Sequence, residues 1–544
     1  MQNSDSDEEE SRERISVSAP VSNVNTKKSD IVWRHKPLSI LIEPYSNNNN
    51  LDNELLTPIS YFEKYIPVTL FDQMSEMTNL YAVQNHKPRF KHTCSSELQV
   101  LFGLHIAMGT LKLPRVSLFW DKAIGITMFQ DAMLRDRFFE LRMNLHLVNT
   151  LEIPDNCSDK LYKVRPLYDA VRSRCMALEL EEHLCIDEQI VPFTGRFSIK
   201  QYMKGKPCPW GVKIFFLCGK SGLAYDFVIY QANMAEIDPG NQKLYGLAPS
   251  VVLQLAKRIG DEKGHKLYFD NYFSSYALFQ VLLERGVYAA GTVRINRFGN
   301  TTLISDKDAM KKERGFCEEV TNREENVTLT KWVDNKTVVM GSNFVGKGKT
   351  DIVDRWSKTL KKYIPVERPE VVKLYNHGMD GVDLLDQLIS YYRTFIKSKK
   401  WTLRMIFHAI DMAITLSWLE YRKDAEALEI PQKKQLDLLH FRMKISESLV
   451  FVGKRATTKK RGRPSLEENC STQPVVQRRK GEVRPGVEVQ QDGVDHMPIH
   501  ESEKLGTRCK MPKCTGRSRI LCQKCRVHLC LNKDKNCFLM YHTQ

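Results

Sequence analysis

Residues 186–193 read IDEQIVPF, residues 211–219 read GVKIFFLCG, and residues 223–231 read LAYDFVIYQ. β-Branched and aromatic residues fill all three runs and glycine-rich turns separate them, which is typical of adjacent strands. A helical period follows in NQKLYGLAPSVVLQLAKRIG. HKLYFDNYF, at residues 265–273, indicates a fourth strand, SSYALFQVLLERG a helix, and VYAAGTVR a last strand. The order β-β-β-α-β-α-β predicts a mixed α/β core over residues 185–300.

Helical patterns flank this core on both sides. Apolar residues recur at helical spacing in SSELQVLFGLHIAMGTL, within residues 56–184, and a long helix is predicted for WTLRMIFHAIDMAITLSWLEYRK, within residues 391–453. Residues 301–369 start polar and then contain VTLTKWVDNKTVVMGSNF, which predicts a hairpin around Asp334. We therefore expect an inserted subdomain that splits the core, and residues 370–390 complete the core after it.

The two ends of the chain differ from its middle in composition. Residues 1–55 begin MQNSDSDEEE, an acidic and polar start that predicts a disordered tail and is unlike a secretory signal. The 544-residue chain carries a net charge of +16, and residues 451–544 hold 20 Lys and Arg against 9 Asp and Glu. This excess favours a polyanion partner such as nucleic acid, with a solvated tail that carries an import signal as the alternative. No apolar run reaches about 18 residues, so we expect no membrane span.

Residues 454–505 form a basic, proline-containing linker that starts KRATTKKRGRPS. Arg461 and Arg463 flank a glycine, and such a flat segment can lie in a narrow A·T minor groove as an AT-hook does. The same residues are typical of a nuclear import signal, which is the favoured interpretation, and the two roles are compatible. The segment therefore predicts a nuclear protein.

Four aspartates in three segments are candidate catalytic residues. Asp187 lies in LCIDEQ, Asp270 closes the strand KLYFD, and Asp383 and Asp386 lie three apart in GVDLLDQ. Phosphoryl transfer needs stabilisation of both the attacking and the leaving oxygen, and two Mg²⁺ ions about 3.5–4 Å apart on carboxylates provide it. A ribonuclease-H-like nuclease carries such ligands on its first strand, its fourth strand and a later helix. A surface acid at the strand edge, a simple Asp-Asn turn and a solvated helix face are the structural alternatives.

A series of motifs in one order covers most of the chain: DEQIVPFTGR, KQYMKGKPCPWGVKIF, YDFVIY, FDNYFSS, GTVR, RPEVVKLYN, GVDLLDQL and YYRTFIKSKKW. From about Tyr61 to its C-terminus, the sequence resembles the piggyBac transposase family. The resemblance implies a cut-and-paste DNA transposase with an α/β, ribonuclease-H-like catalytic core. It also implies that Asp187, Asp270 and Asp383 bind Mg²⁺ or Mn²⁺, with Asp386 as a supporting acid.

The resemblance assigns roles to the other parts of the chain as well. The all-α segments 56–184 and 391–453 would form the dimerisation and DNA-binding region of a homodimer, and residues 301–369 would be the insertion domain. Trp401, in SKKW, matches an aromatic position near the active site and is a candidate DNA contact. Members of the family insert at TTAA and excise without a scar. Double-stranded DNA, as transposon ends and as target, is therefore the implied partner.

One position departs from the family pattern. Met379 is followed by Asp380 where the family usually has glycine. Glycine often supplies a positive φ, so an acid here is expected to perturb the turn or the electrostatic field at the metal. The main alternative function is a domesticated derivative that binds DNA without transposing it.

Residues 506–544 form a cysteine-rich tail with too little apolar surface for a core of its own. Thiolates and imidazoles suit tetrahedral Zn²⁺, and two ions in a cross-braced module need eight ligands. The predicted ligands are Cys509, Cys514, Cys522, Cys525, His528, Cys530, Cys537 and His542, with His528 as the eighth. A plain surface role for His528 is the alternative. The resemblance implies a DNA-end-binding domain, and the rival, a RING-type ubiquitin ligase module, leaves the aspartates unexplained.

Overall fold

The strand that carries Asp187 lies inside a ten-stranded sheet. The computed structural model describes residues 27–45, 54–206, 208–231, 236–260, 264–394, 396–452, 485–501 and 506–543. The strands of this sheet are β1 (Trp33–Arg34), β2 (His183–Pro192), β3 (Gln201–Tyr202), β4 (Trp210–Gly219), β5 (Ala224–Ile229), β6 (Lys266–Phe269), β7 (Tyr288–Thr292), β8 (Cys317–Asn322), β9 (Thr328–Val333) and β10 (Thr337–Ser342). Their spatial order is β1-β8-β9-β10-β7-β6-β2-β4-β3, and β5 also pairs with β4.

Helices precede, interrupt and follow the sheet. Up to the end of the sheet they are α1 (Pro58–Tyr65), α2 (Val68–Gln84), α3 (Ser95–Leu111), α4 (Thr127–Ala132), α5 (Arg135–Asn144), α6 (Arg165–Ala177), α7 (Pro239–Tyr245), α8 (Leu247–Ala256), α9 (Tyr276–Glu284) and α10 (Asp306–Ala309). After a separate two-stranded hairpin of β11 (Asp351–Ser357) and β12 (Lys362–Arg368) come α11 (Glu370–Gly378), α12 (Gly381–Tyr391), α13 (Trp401–Ala427) and α14 (Leu438–Val450). The predicted order of strands and helices in the core is confirmed, with β3 added and two helices before β6.

Strand register places the first two candidate aspartates side by side. β2 runs antiparallel to β4 and parallel to β6, with Ile186 opposite Phe269. Asp187 and Asp270 are the next residues along these two strands. The parallel register therefore places the two residues in neighbouring positions, Asp187 within β2 and Asp270 directly after the end of β6. β7 continues the parallel pairing beside β6.

Two predictions about the ends of this core need correction. Residues 301–369 do not form only a separate subdomain, because β8, β9 and β10 extend the main sheet through the pairing of β10 with β7. The predicted hairpin around Asp334 is confirmed as β9–β10. Residues 27–45, predicted to be part of a disordered tail, include β1, which pairs with β8, and the indole of Trp33 donates a hydrogen bond to Phe298 O.

The helices outside the sheet share a well-ordered buried network. In α13 and α14, Asp411 and Arg442 form a buried ion pair at 2.8 Å. The same aspartate accepts hydrogen bonds from the backbone N–H and the hydroxyl of Thr394, which lies between α12 and α13. This network fixes the connection that follows α12.

No helix in the described part of the chain is both long enough and apolar enough to cross a membrane.

The C-terminal unit is a small separate body. Its described elements are α15 (Val487–Gln490), β13 (Pro498–His500), β14 (Thr507–Arg508), β15 (Arg517–Ser518), β16 (Ile520–Cys522) and α16 (Cys537–Thr543). β13 pairs with β16 and β14 with β15, and a few apolar residues such as Val527, Leu529 and Phe538 are buried between them. Residues 485–501, predicted to be linker, therefore belong to the folded unit. Arg461 and Arg463 lie outside the described residues.

Candidate functional site

Asp187 is a partly buried carboxylate within β2 that faces other acids. Burial, together with the negative charges of Glu188, Asp270 and Asp383, raises its pKa to about 7, against one backbone hydrogen bond from Glu188 N. A carboxylate held among like charges is stabilised by a cation. The structure therefore brings three of the predicted acids within electrostatic range of each other, although the first and the last are almost 200 residues apart in the sequence.

The third acid is placed by the close packing of α12 on the sheet. Gly381 begins α12, and a Cβ on it would overlap Gly219 O and lie 2.9 Å from Cys185 Sγ. The backbone of Gly381 is hydrogen-bonded to the Cys185 thiol, which lies two residues before Asp187. This contact leaves no room for a side chain at position 381. It holds the first turn of α12, with Asp383 on it, against β2.

Asp380, which departs from the family pattern, does not strain the turn. Its backbone has φ −77° and ψ 0°, and it precedes α12 as the N-cap residue. Its carbonyl accepts a hydrogen bond from Leu384 N at 2.8 Å. Because this conformation is open to any L-residue, the expected backbone perturbation is wrong. Asp380 is exposed to solvent.

Asp386 lies one turn further along α12 and is held by two partners. Gln189, a buried residue of β2, donates a hydrogen bond from Nε2 to the carboxylate at 3.0 Å. Arg393 approaches it at 3.4 Å. Burial raises the pKa of Asp386, and these partners oppose the shift. Asp386 is therefore a fixed acid that supports the site from the side of the helix.

A tight turn after β6 fixes Asp270. Its carboxylate accepts the backbone N–H of Tyr272 at 2.8 Å. The guanidinium of Arg297 donates to three carbonyls of the same turn, those of Asn271, Tyr272 and Ser274, at 2.9–3.0 Å. The Asp-Asn turn, considered above as the structural alternative to a catalytic role, is thus present. It orients the Asp270 carboxylate, so the turn and the catalytic role are compatible. Nothing in the local sequence pointed to Arg297.

Glu188 and two lysines add to the site and were not predicted. Glu188 lies next to Asp187, and burial raises its pKa, with Lys213 and Lys206 opposing the shift. Lys213 is buried in β4, with its ammonium 5.0 Å from the centre of the Tyr272 ring. The motif DEQ could have indicated Glu188, because it places two acids next to each other in one strand. No pattern indicated the lysines, because Lys213 meets the acids only through the pairing of β2 with β4, and Lys206 lies in the loop before β4.

The spacing of the acids differs from that of a site for one small ion. Among the described residues, two groups have ligand atoms that all lie within 4.8 Å of one another, and both consist of cysteine and histidine. The aspartates are more widely spread. Two ions about 3.5–4 Å apart can share carboxylates that do not all converge on one point. The chemistry of the donors, all carboxylate oxygens with mutual repulsion, fits Mg²⁺ or Mn²⁺.

Trp401 lies at the start of α13 and stacks on Phe197, with ring centroids 4.1 Å apart and planes 8° from parallel. Phe197 belongs to the loop that follows β2. The stack therefore connects the helical part of the chain with the strand that carries Asp187. It leaves Trp401 half-buried.

The C-terminal unit brings cysteines and histidines into two groups of four. One group contains Cys509, Cys514, Cys530 and Cys537, and the other contains His496, Cys522, Cys525 and His542. The groups alternate along the chain in the cross-braced pattern expected from the sequence. Nε2 of His542 is buried without a hydrogen-bond partner in the described structure, while its Nδ1 lies 2.7 Å from Phe538 O. An orphaned imidazole nitrogen among thiols fits a bound metal ion.

The prediction of His528 as the eighth residue is wrong, and His496 takes that place. Nδ1 of His496 lies 3.4 Å from both Cys522 Sγ and Cys525 Sγ. Its Nε2 is 3.0 Å from Asp492, an arrangement that orients metal-binding histidines. His528 instead lies 2.9 Å from Glu501 and belongs to neither group. The spacing Asp492-x3-His496 was the available signal, but it lay in a segment assigned to the linker.

Comparison with known proteins decides the family. The model of the family described as Transposase IS4 matches residues 57–418, which include β2, β6 and α12. The chain belongs to this family. The match covers more than half of the sequence and contains all four candidate aspartates.

Two human proteins whose names describe them as derived from the piggyBac transposable element are similar to this chain. It is 28% identical over 541 residues to human PiggyBac transposable element-derived protein 3, covering 97% of this chain and 84% of that protein. It is 28% identical over 501 residues to human PiggyBac transposable element-derived protein 2, covering 91% of this chain and 77% of that protein.

A solved structure supports the same fold. A piggyBac transposase in a synaptic complex with hairpin DNA, determined by cryo-electron microscopy, has a TM-score of 0.62 with this chain. The likeness covers 88% of this chain and 97% of that one at 20% identity. At this identity the likeness concerns the fold alone.

Proposed function

We propose that this chain is a DNA transposase of the piggyBac type whose Asp187, Asp270 and Asp383 hold two divalent cations. The observation that carries the proposal is the meeting of these acids where β2 and β6 run in parallel register and α12 packs on β2. The antiparallel run β2, β4 and β5, with β6 and β7 parallel beside β2, supports a ribonuclease-H-like core.

The proposed chemistry is in-line cleavage of a phosphodiester at the element ends. Bound Mg²⁺ or Mn²⁺ would stabilise the charge on the attacking and leaving oxygens. The chain's own residues fix this arrangement: Arg297 holds the turn that carries Asp270, and Gln189 holds Asp386. Water attacks the phosphorus and a 3′-oxygen leaves. The freed 3′-OH then attacks a phosphorus of the opposite strand and displaces the 3′-oxygen of the flanking DNA, which closes a hairpin. Hydrolysis of this hairpin by a second water frees the 3′-OH again, and this 3′-OH attacks a phosphorus at a TTAA target and displaces a 3′-oxygen there.

We also propose that the chain works as a homodimer in the nucleus and that its C-terminal unit binds two Zn²⁺ ions. The two groups of four cysteine and histidine residues support the zinc sites, and their thiolate and imidazole ligands favour zinc over magnesium. The basic composition of residues 454–465 supports nuclear import. The excess of positive charge on the last sixth of the chain supports DNA as the partner.

The test is an excision assay on a donor that carries the ends of the chain's own element. Wild type is expected to excise the donor, and Asp187→Asn is expected to lose excision and Mn²⁺ binding while it keeps its affinity for DNA. Asp136→Asn is the matched control, because Asp136 is an exposed acid of α5, far from the aspartate motifs in sequence. Excision by Asp187→Asn at the wild-type rate would contradict the proposal.

A domesticated, DNA-binding protein is the second candidate function. The names of the two human relatives describe them as derived from a transposable element, which favours this alternative. It predicts DNA binding without excision for wild type and for both variants. Mn²⁺ binding that depends on Asp187 would still separate an intact metal site from a lost one.

A further inference from the structure

A cavity of about 220 Å³ opens where α2, the end of α5 and the start of α13 meet. Its lining includes four basic residues: Arg142, His146, Lys163 and Lys400. None of the described residues that line it is acidic. A small pocket with several cations and no counter-charge is suited to an anion.

Among the residues that line this cavity, Arg142 gives the strongest indication of an anionic ligand. The residue is 6% exposed, yet its guanidinium makes no hydrogen bond or ion pair in the described part of the chain. A buried guanidinium is normally paired, as Arg442 is with Asp411, because removing an uncompensated charge from water is costly. Burial lowers the pKa of Arg142 for the same reason. A ligand with negative charge would supply the missing partner.

The remaining basic residues surround the same space in fixed positions. The ring of His146 stacks on Tyr81 with centroids 3.6 Å apart, and its Nδ1 lies 2.8 Å from Asn144 O. Because that carbonyl only accepts, Nδ1 carries the proton. Nζ of Lys400 donates to Met143 O at 3.0 Å. Burial lowers the pKa of His146, and the charges of Lys163 and Lys400 lower it further.

The N-terminus of α13 adds its own positive end to the cavity. Lys400 is the N-cap residue and provides no side-chain cap for the first N–H groups of this 27-residue helix. Uncapped N–H groups and the helix dipole favour an anion at this point. Trp401 also lines the cavity and, through its stack on Phe197, connects it to the loop after β2.

We propose that this cavity binds a phosphate group of the DNA backbone, with Arg142, Lys163, Lys400 and the first turn of α13 as its ligands. The choice of DNA as the source rests on the proposed function, whereas the anion chemistry rests on the cavity alone. Free inorganic phosphate is the other source of the same chemical group. A phosphate bound here would anchor a strand beside the stack of Phe197 and Trp401.

Two arms of one experiment separate these sources in the full-length protein. The first measures the affinity for a random-sequence DNA duplex as a function of salt. The slope of the logarithm of the DNA association constant against the logarithm of the salt concentration is expected to decrease in magnitude by about 1 in the double variant Lys163→Gln/Lys400→Gln, since one phosphate contact is lost. The matched control, Lys122→Gln/Lys160→Gln, removes two exposed lysines that do not line the cavity and is expected to keep the wild-type slope.

The second arm measures the melting temperature in inorganic phosphate and in chloride at equal ionic strength. Phosphate is expected to stabilise wild type and the control more than the cavity variant. Arg142→Met, a variant with no pair to break, is expected to match the cavity variant in both arms. An unchanged salt slope together with a phosphate effect on wild type would overturn DNA as the source. No difference between wild type and the cavity variants in either arm would overturn the site itself, whether or not excision is observed.

Discussion

His408 is a buried imidazole without a hydrogen-bond partner. It lies in α13, is 3% exposed, and neither ring nitrogen has a partner in the described structure. Burial, together with the positive charges of Arg393 and Arg404, lowers its pKa to about 3. The residue is therefore neutral in the folded chain at any physiological pH.

This neutral histidine makes stability depend on pH. The folded pKa lies below the ordinary value of about 6.5, so the unfolded chain binds an extra proton once the pH falls below that value. The stabilising effect is complete above pH 6.5 and decreases as the pH falls toward 3. Between pH 7 and pH 5, the wild-type free energy of unfolding is expected to fall by about 2 kcal/mol more than that of His408→Leu. Urea titrations at both pH values measure this difference, and parallel pH profiles would contradict it.

Single residues were predictable where their signal was local. Asp187 and Asp270 lie at recognisable positions in apolar strands, so the adjacent sequence was enough to predict them as catalytic residues. His496 was missed because one histidine 26 residues before Cys522 has no spacing motif, and only the pairing of β13 with β16 brings the two together. Arg297 was missed for the same reason. Its three acceptors are backbone carbonyls, which leave no trace in side-chain patterns.

Helix α12 carries two of the four aspartates, and its position depends on a glycine. A side chain at Gly381 has no space between Gly219 O and the Cys185 thiol. A displacement of the helix therefore moves Asp383 relative to Asp187. Errors of about 1 Å in a catalytic arrangement can cost about 100-fold in rate.

Gly381→Ala is expected to separate catalysis from DNA binding. The added methyl pushes α12 away from β2, so the excision rate should fall by about 100-fold while affinity for DNA stays within the error of measurement. The cost in stability should be about 1–3 kcal/mol, as for other overpacked sites. Gly486→Ala is the control, because a Cβ there meets open space. Equal excision by Gly381→Ala and wild type would show that α12 does not position the acids.

Helices and strands were predicted well where the hydrophobic pattern had a clear period. They were predicted less well where hydrogen bonding between strands decided their place in the sheet. The hairpin β9–β10 followed from its sequence, but its addition to the main sheet through β7 did not, because edge pairing is set by backbone hydrogen bonds. β1 is a more extreme case. Two residues near the start of the chain pair with Thr321 and Asn322, almost 290 positions away. A short strand of this kind has no periodicity to detect.

The whole chain divides into two units with different sources of stability. The first, up to Thr457, contains an extensive apolar core that runs from the helices through the sheet. The second, from Thr458, buries few large apolar residues and contains both groups of cysteine and histidine. Small domains of this kind depend on metal binding for their folding free energy. The two units should therefore respond differently when metal is removed.

A zinc chelator is expected to unfold the second unit and leave the first folded. Amide hydrogen exchange should increase across residues 485–543 and stay unchanged in β2, β4 and β6. Released zinc should amount to two ions per wild-type chain, one for each group, and His496→Ala should release about one. His528→Ala should still release two, because His528 belongs to neither group. Full zinc content in His496→Ala and a loss in His528→Ala would restore His528 as a ligand, since a tetrahedral site that lacks one of its four ligands binds its ion far more weakly.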